Sequence, residues 1–114
     1  MADRLLTRVK PDYIQYDCKG HVGYLGYASK VSTPASGIVN DSLAIWRRAT
    51  AKHGAGLYIH FSGVWDSLAI QQHPEWASVR ADGTPDPNAT STFGPYVDER
   101  MIPQLKEAIE KYDL

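Results

Sequence analysis

Apolar and polar positions change pattern four times along this chain. Residues 3–10 carry Leu5, Leu6 and Val9 at helical spacing until Pro11, which predicts a short helix ending there. Residues 13–17 then alternate, with Ile14 and Tyr16 on one side and Tyr13 and Gln15 on the other, between Pro11 and Gly20, and read as a first strand. Leu43, Trp46, Ala49 and Thr50 restore the helical period after Asn40 or Asp41, either of which can cap the helix, and Gly54 supplies its left-handed stop. Residues 57–61 form a nearly continuous apolar run, the pattern of a parallel strand covered on both faces. Met101, Ile102, Leu105, Ile109 and Tyr112 mark a last helix, introduced by Pro95 and Asp98, with Pro103 fitting only near its first turn.

Two long stretches lack any period. Residues 19–40 contain Gly20, Gly23, Gly26, Pro34 and Gly37, and residues 62–96 contain the turn signals Asp82-Gly83 and Pro85-Asp-Pro87, so both read as irregular connections. Only a helical turn over 68–72 is expected inside the second. Strand, helix, strand and helix in that order make a β-α-β-α unit with parallel strands, a partial TIM-barrel-like α/β fold. With 114 residues the chain is a single domain, 1–114, short of the roughly 250 residues of a complete eight-fold barrel. Two strands leave sheet edges bare, so completion by association into a homo-oligomer is expected.

Composition narrows the partners. Twelve basic and thirteen acidic residues are scattered singly, with no basic stripe, which argues against nucleic acid. No apolar run approaches the ~20 residues of a membrane span and the first ten residues lack the core of a signal peptide, so a cytoplasmic location without membrane attachment is expected. One cysteine, Cys18, precludes an internal disulfide and reads as a small buried group. His21, His53, His60 and His73 show no metal-ligand spacing, and neither metal nor cofactor is expected.

Chemistry concentrates where the strands end. Asp17, with Lys19 and His21 just beyond it, follows the first strand, the position from which a parallel α/β protein builds a site. The alternative for Asp17 is a carboxylate capping its own loop. His60, inside an apolar strand, fits a satisfied core imidazole as well as a ligand for substrate. Trp65-Asp66 and Glu75-Trp76 set indoles beside acids, and sugars offer C–H faces for the first and hydroxyls for the second. Trp76 could equally plug its loop onto the core. Asp66 and Glu75 are the first pair of candidate catalytic carboxylates, with Asp17 the third. Asp98, Glu99, Glu107 and Glu110 are assigned to the last helix, with the later two facing solvent.

These segments resemble the catalytic barrel of the alpha-L-fucosidase-like glycoside hydrolases. The resemblance runs through Lys10-Pro-Asp-Tyr-Ile-Gln-Tyr-Asp17 with Lys19-Gly-His21, through Gly56-Leu-Tyr-Ile-His60-Phe-Ser-Gly-Val-Trp-Asp66, and through His73-Pro-Glu-Trp76 and Pro95 to Glu107. It implies sugar-binding roles for Asp17, His21, His60, Trp65 and Trp76, with Lys19 beside them, and a family nucleophile and acid/base drawn from later segments. The expected activity is hydrolysis of O-glycosidic bonds of galactose- or fucose-type sugars, by a β-galactosidase or alpha-L-fucosidase-like reaction. The alternative is a non-catalytic carbohydrate-binding remnant of a larger glycosidase.

Overall fold

A computed structural model describes residues Met1–Leu114 as a mixed α/β protein. Helix α1 (Ala2–Val9) ends at Lys10, whose left-handed backbone (φ 50°) lets its N–H bond Leu6 O. Of its apolar residues only Leu6, with Ala2, turns inward, onto Ala49, Ile14 and Trp46. Strand β1 (Tyr13–Lys19) pairs in parallel with β2 (Gly56–Phe61), bringing Tyr13 opposite Gly56, Gln15 opposite Tyr58 and Asp17 opposite His60. The helix between them, α2 (Ser42–His53), is capped by Asp41, whose carboxylate accepts from Ala44 N at 3.1 Å, and ends at Gly54 (φ 67°). The same Asp41 accepts from the Tyr112 hydroxyl at 2.8 Å, so one side chain starts α2 and ties down the end of the chain.

The second strand differs from its expected double cover. Leu57, Ile59 and Phe61 point to the core, while Tyr58 and His60 are exposed. The same alternation leaves Tyr13, Gln15 and Asp17 open on β1. The reason lies in the helices: α2 and the last helix, α4 (Ile102–Tyr112), pack on one face around Cys18, Leu25, Tyr27 and Leu43, and α1 packs beside them on Ala49, Ile14 and Trp46. A register shift between Asp17 and Lys19 rotates Lys19 out of the alternation and into the interior.

Residues 62–96 are more regular than their composition predicts. Helix α3 (Ser67–Gln72) is followed by a 3-10 turn (Pro74–Trp76) and a small antiparallel hairpin of β3 (Ala77–Val79) and β4 (Pro85–Thr90). Asp82 closes the hairpin turn by accepting from Thr84 N at 2.9 Å, with Gly83 at φ 84°. Two prolines survive in β4 because neither is asked to donate: on its second edge the strand's backbone meets the 64–66 segment only through Asn88 O and Thr90 N.

Helix α4 follows a π turn (Val97–Met101), with Pro103 in its first turn. Its buried face is Gln104, Ala108 and Tyr112, whereas Ile102 and Ile109 of the predicted apolar stripe look outward. Small Ala108 lets the helix approach the core, and Tyr27 donates to Gln104 O at 3.1 Å. Glu107, expected to face solvent, instead accepts from Ser29 Oγ and Lys30 N, each at 2.6 Å, and pins the first long loop. That loop is held further by Leu25 N to Thr33 O and Ala35 N to Leu25 O. No helix is long and apolar enough to cross a membrane.

Burial of ionisable groups sets the response to alkali. Desolvation first of all raises Tyr16, Tyr27, Tyr96 and Tyr112 above the ordinary tyrosine value of 10.0 and pushes the Cys18 thiol up to about 12. Each then holds its proton longer folded than unfolded, so its contribution to stability is intact below the unfolded value and is lost as pH rises. Lys19, lowered by burial, works in the opposite sense, one group against five. The expected outcome is a urea midpoint that falls steadily above about pH 9.5, with Cys18 inert to thiol reagents until unfolding.

Candidate functional site

The C-terminal ends of β1 and β2 meet at Asp17 and His60. His60 Nδ1 lies 2.9 Å from Asp17 Oδ1, and both side chains are exposed. An ionised carboxylate only accepts, so the Nδ1 proton is donated to Asp17 and Nε2 is left available for a hydroxyl. The first loop returns His21 to the same rim, with its Nδ1 2.8 Å from Ser62 Oγ. Ser62 Oγ donates to Trp65 O at 2.9 Å, so it accepts from His21, and that imidazole too presents Nε2. The His21 ring leans on Trp65 at 4.9 Å between centroids, and the indole is 53% exposed.

Two hollows join at His60. One, of about 510 Å³, is lined by Tyr13, Gln15, Tyr58, Ile59 and His60; the other, of about 400 Å³, by His21, His60, Ser62, Gly63, Val64 and Trp65. Together they form a shallow groove over the open sheet face, with polar groups at one end and an indole beyond them. A further hollow of about 470 Å³ lies at the opposite strand ends, among Leu6, Lys10, Asp12 and Gly54. It is remote from the strand-tip residues, and the C-terminal ends are where ligands bind parallel α/β sheets.

Under the rim lies a closed polar cluster. Asp66 is fully buried: its Oδ2 accepts from Lys19 Nζ at 3.1 Å and from the Tyr96 hydroxyl at 3.0 Å, and its Oδ1 accepts from Ala69 N at 2.9 Å, capping α3. The Tyr96 hydroxyl also lies 2.9 Å from Gly63 O. Burial lowers the Lys19 ammonium and raises Tyr96, whose phenolate would also meet the Asp66 charge. Gly23 (φ 107°) packs so closely that a Cβ there would fall on the Asp66 carboxylate. Asp66, expected as a catalytic carboxylate, and Lys19, expected to contact substrate, are therefore anchors of the loop above them, with no free surface for a sugar.

Trp76 is likewise only 4% exposed, packed with Ala69 and Tyr96, so the reading of it as a plug holds and a stacking role does not. His73 stacks on it at 3.9 Å. Glu75 is exposed beside His73, 3.3 Å from Nδ1, and is absent from the groove lining. Of the expected residues the structure gathers Asp17, His21, His60 and Trp65. It adds Tyr13, Gln15, Tyr58 and Ser62, of which the first two were legible as the polar side of an alternating strand. Tyr96 had no sequence signal, being distant from Lys19 and Asp66 along the chain. No group of three or more His, Cys, Asp or Glu side chains is placed to hold a metal ion.

No family profile matches the chain, and no curated protein does. Among solved structures it is similar to alpha-L-fucosidase isoenzyme 2 from Paenibacillus thiaminolyticus, with a TM-score of 0.85 and 21% identity over 98% of this chain and 18% of that one. It is also similar to a hypothetical protein from Ruminiclostridium thermocellum ATCC 27405, with a TM-score of 0.75 and 18% identity over 96% of this chain and 62% of that one. The likeness is one of fold, and the chain spans under two thirds of either protein.

The buried cluster carries a direct test. Lys19→Met leaves the Asp66 charge without its partner and is expected to cost about 3–5 kcal/mol in urea unfolding, whereas the double change Lys19→Met/Asp66→Leu recovers much of that loss.

Proposed function

We propose that the groove over β1 and β2 binds a galactose- or fucose-configured sugar, and that the chain serves as one wall of a glycoside hydrolase site for O-glycosides of that class. The observation that carries this reading is the Asp17–His60 pair standing beside His21 and the exposed Trp65 at the ends of two parallel strands. An indole face suits the apolar side of a pyranose, and two imidazole Nε2 atoms with one carboxylate suit adjacent hydroxyls. The similar fold of a protein named as an alpha-L-fucosidase supports the sugar class. L-Fucose is 6-deoxy-L-galactose, so the two configurations share a hydroxyl pattern.

Hydrolysis needs two carboxyl groups, about 5 Å apart for retention and about 6.5–9.5 Å for inversion. Asp17 is the one candidate that is both open and held against a groove residue, His60; Glu75 is equally exposed but pairs with His73 away from the groove lining, and Asp66 is buried. This single acid at the groove favours the second reading, a carbohydrate-binding role without turnover, and the two readings separate in one experiment.

Titration of the chain with L-fucose and D-galactose, followed by Trp fluorescence and calorimetry, is expected to give weak saturable binding. Trp65→Ala and His60→Ala should each weaken it about tenfold or more, the equivalent of ~1.4 kcal/mol. Release of nitrophenol from nitrophenyl α-L-fucoside or β-galactoside, abolished in Asp17→Asn, would mark the enzyme. Binding without release would mark the module, and no binding of either sugar would refute both.

A further inference from the structure

The molecule exposes more surface than a self-sufficient protein of its mass. Its accessible area is 7158 Å², against about 6200 Å² expected for a folded monomer of 12.7 kDa, an excess of about 900 Å². Its radius of gyration is 16.2 Å, where about 13 Å is usual for this length, and it extends 53 × 26 × 23 Å. A standard interface removes about 800 Å² from each partner, which is the size of that excess.

The sheet carries part of that surface. Parallel strands are ordinarily covered on both faces, and a pair of strands is not stable as a free-standing sheet. Here the helices cover one face, and the other presents Tyr13 (60% exposed), Gln15 and Tyr58 (63% exposed), with the two phenol rings meeting edge to face at 5.2 Å. No further strand joins either sheet edge, and β1 is bridged on its outer side only at its end, by Leu25. The exposed face ends at Asp17 and His60, so its one carboxylate is already hydrogen-bonded within the chain. The other unpartnered surface, Ile102, Leu105 and Ile109 on α4, is a narrow stripe on a single helix, bordered by the Lys106–Glu110 pair.

We propose that a second copy of this chain covers the open face of β1 and β2 in a two-fold arrangement, tyrosine face against tyrosine face. The interface fills the hollow of Tyr13, Gln15 and Tyr58, and at its edge the second copy supplies a wall for the adjoining shallow hollow of His21, His60, Ser62 and Trp65, which is left to the sugar. This last step rests on the sugar-binding reading; the dimer itself does not.

Analytical ultracentrifugation of the 114-residue chain with its variants tests the proposal. The parent is expected to sediment as a dimer at micromolar concentration. Tyr13→Lys/Tyr58→Lys should sediment as a monomer with an unchanged far-UV dichroism spectrum and bind L-fucose at least about tenfold more weakly. Should that pair fail to fold, the milder Tyr58→Ser must still weaken the dimer about tenfold. A parent that is monomeric at about 100 μM, or a dimer that survives the tyrosine changes, overturns the proposal. So does a dimer split by Ile102→Lys/Ile109→Lys and not by them. A dimer lost as expected, in a parent that binds no sugar, supports the interface and removes only the sugar-binding reading. A monomeric variant with undiminished sugar affinity overturns the role of the second copy in the groove.

Discussion

An ammonium and a carboxylate taken out of water must satisfy each other, and the Lys19–Asp66 pair does so where the two strands run out of sheet. Desolvation of two ions costs several kcal/mol each, a penalty offset only when every remaining donor and acceptor is matched. Tyr96 and the Ala69 amide supply those matches. Because the three side chains come from β1, the start of α3 and the approach to α4, the requirement to pair them folds the long 62–96 segment back over the strand ends. The rim that carries Gly63, Val64 and Trp65 rests on that cluster.

From that constraint the division of labour among similar residues follows. Asp17 and Asp66 are both carboxylates at strand ends, yet one stands in solvent against an imidazole and the other is sealed beneath it. Trp65 and Trp76 divide in the same way, one open beside His21 and the other packed under His73. The open member of each pair lies near the groove, and the closed member holds the loop in place. A one-sided sheet adds the second constraint: the face that offers the groove is also the one no element of the chain covers.

Much of the framework was readable from periodicity and punctuation. Asp41 and Gly54 bracket α2 because a short acidic side chain satisfies the first helical amides and glycine accepts a left-handed stop. The first strand showed itself through alternation and β-forming residues, and the second through an apolar run whose one-sided burial the run did not reveal. The hairpin of β3 and β4 did not, since Pro85, Asp86, Pro87 and Asn88 are poor strand formers and are held there by the Asp82 turn and by pairing with β3. In α4 the apolar residues turned out not to mark the buried face, because small Ala108 allows the close approach that turns Gln104 and Tyr112 inward with it.

Chain order thus settled which residue types reach the strand ends: Asp17, Lys19 and His21 after the first, His60 to Asp66 after the second. Spacing along a strand dictates direction up to its last regular residue, and no further. Which of those side chains meet solvent was decided in three dimensions, by the register shift that turns Lys19 inward and by Tyr96, contributed from far along the chain. Burial of a charge depends on whether a partner arrives to match it, and that partner is brought by the packing of distant segments rather than by any local pattern.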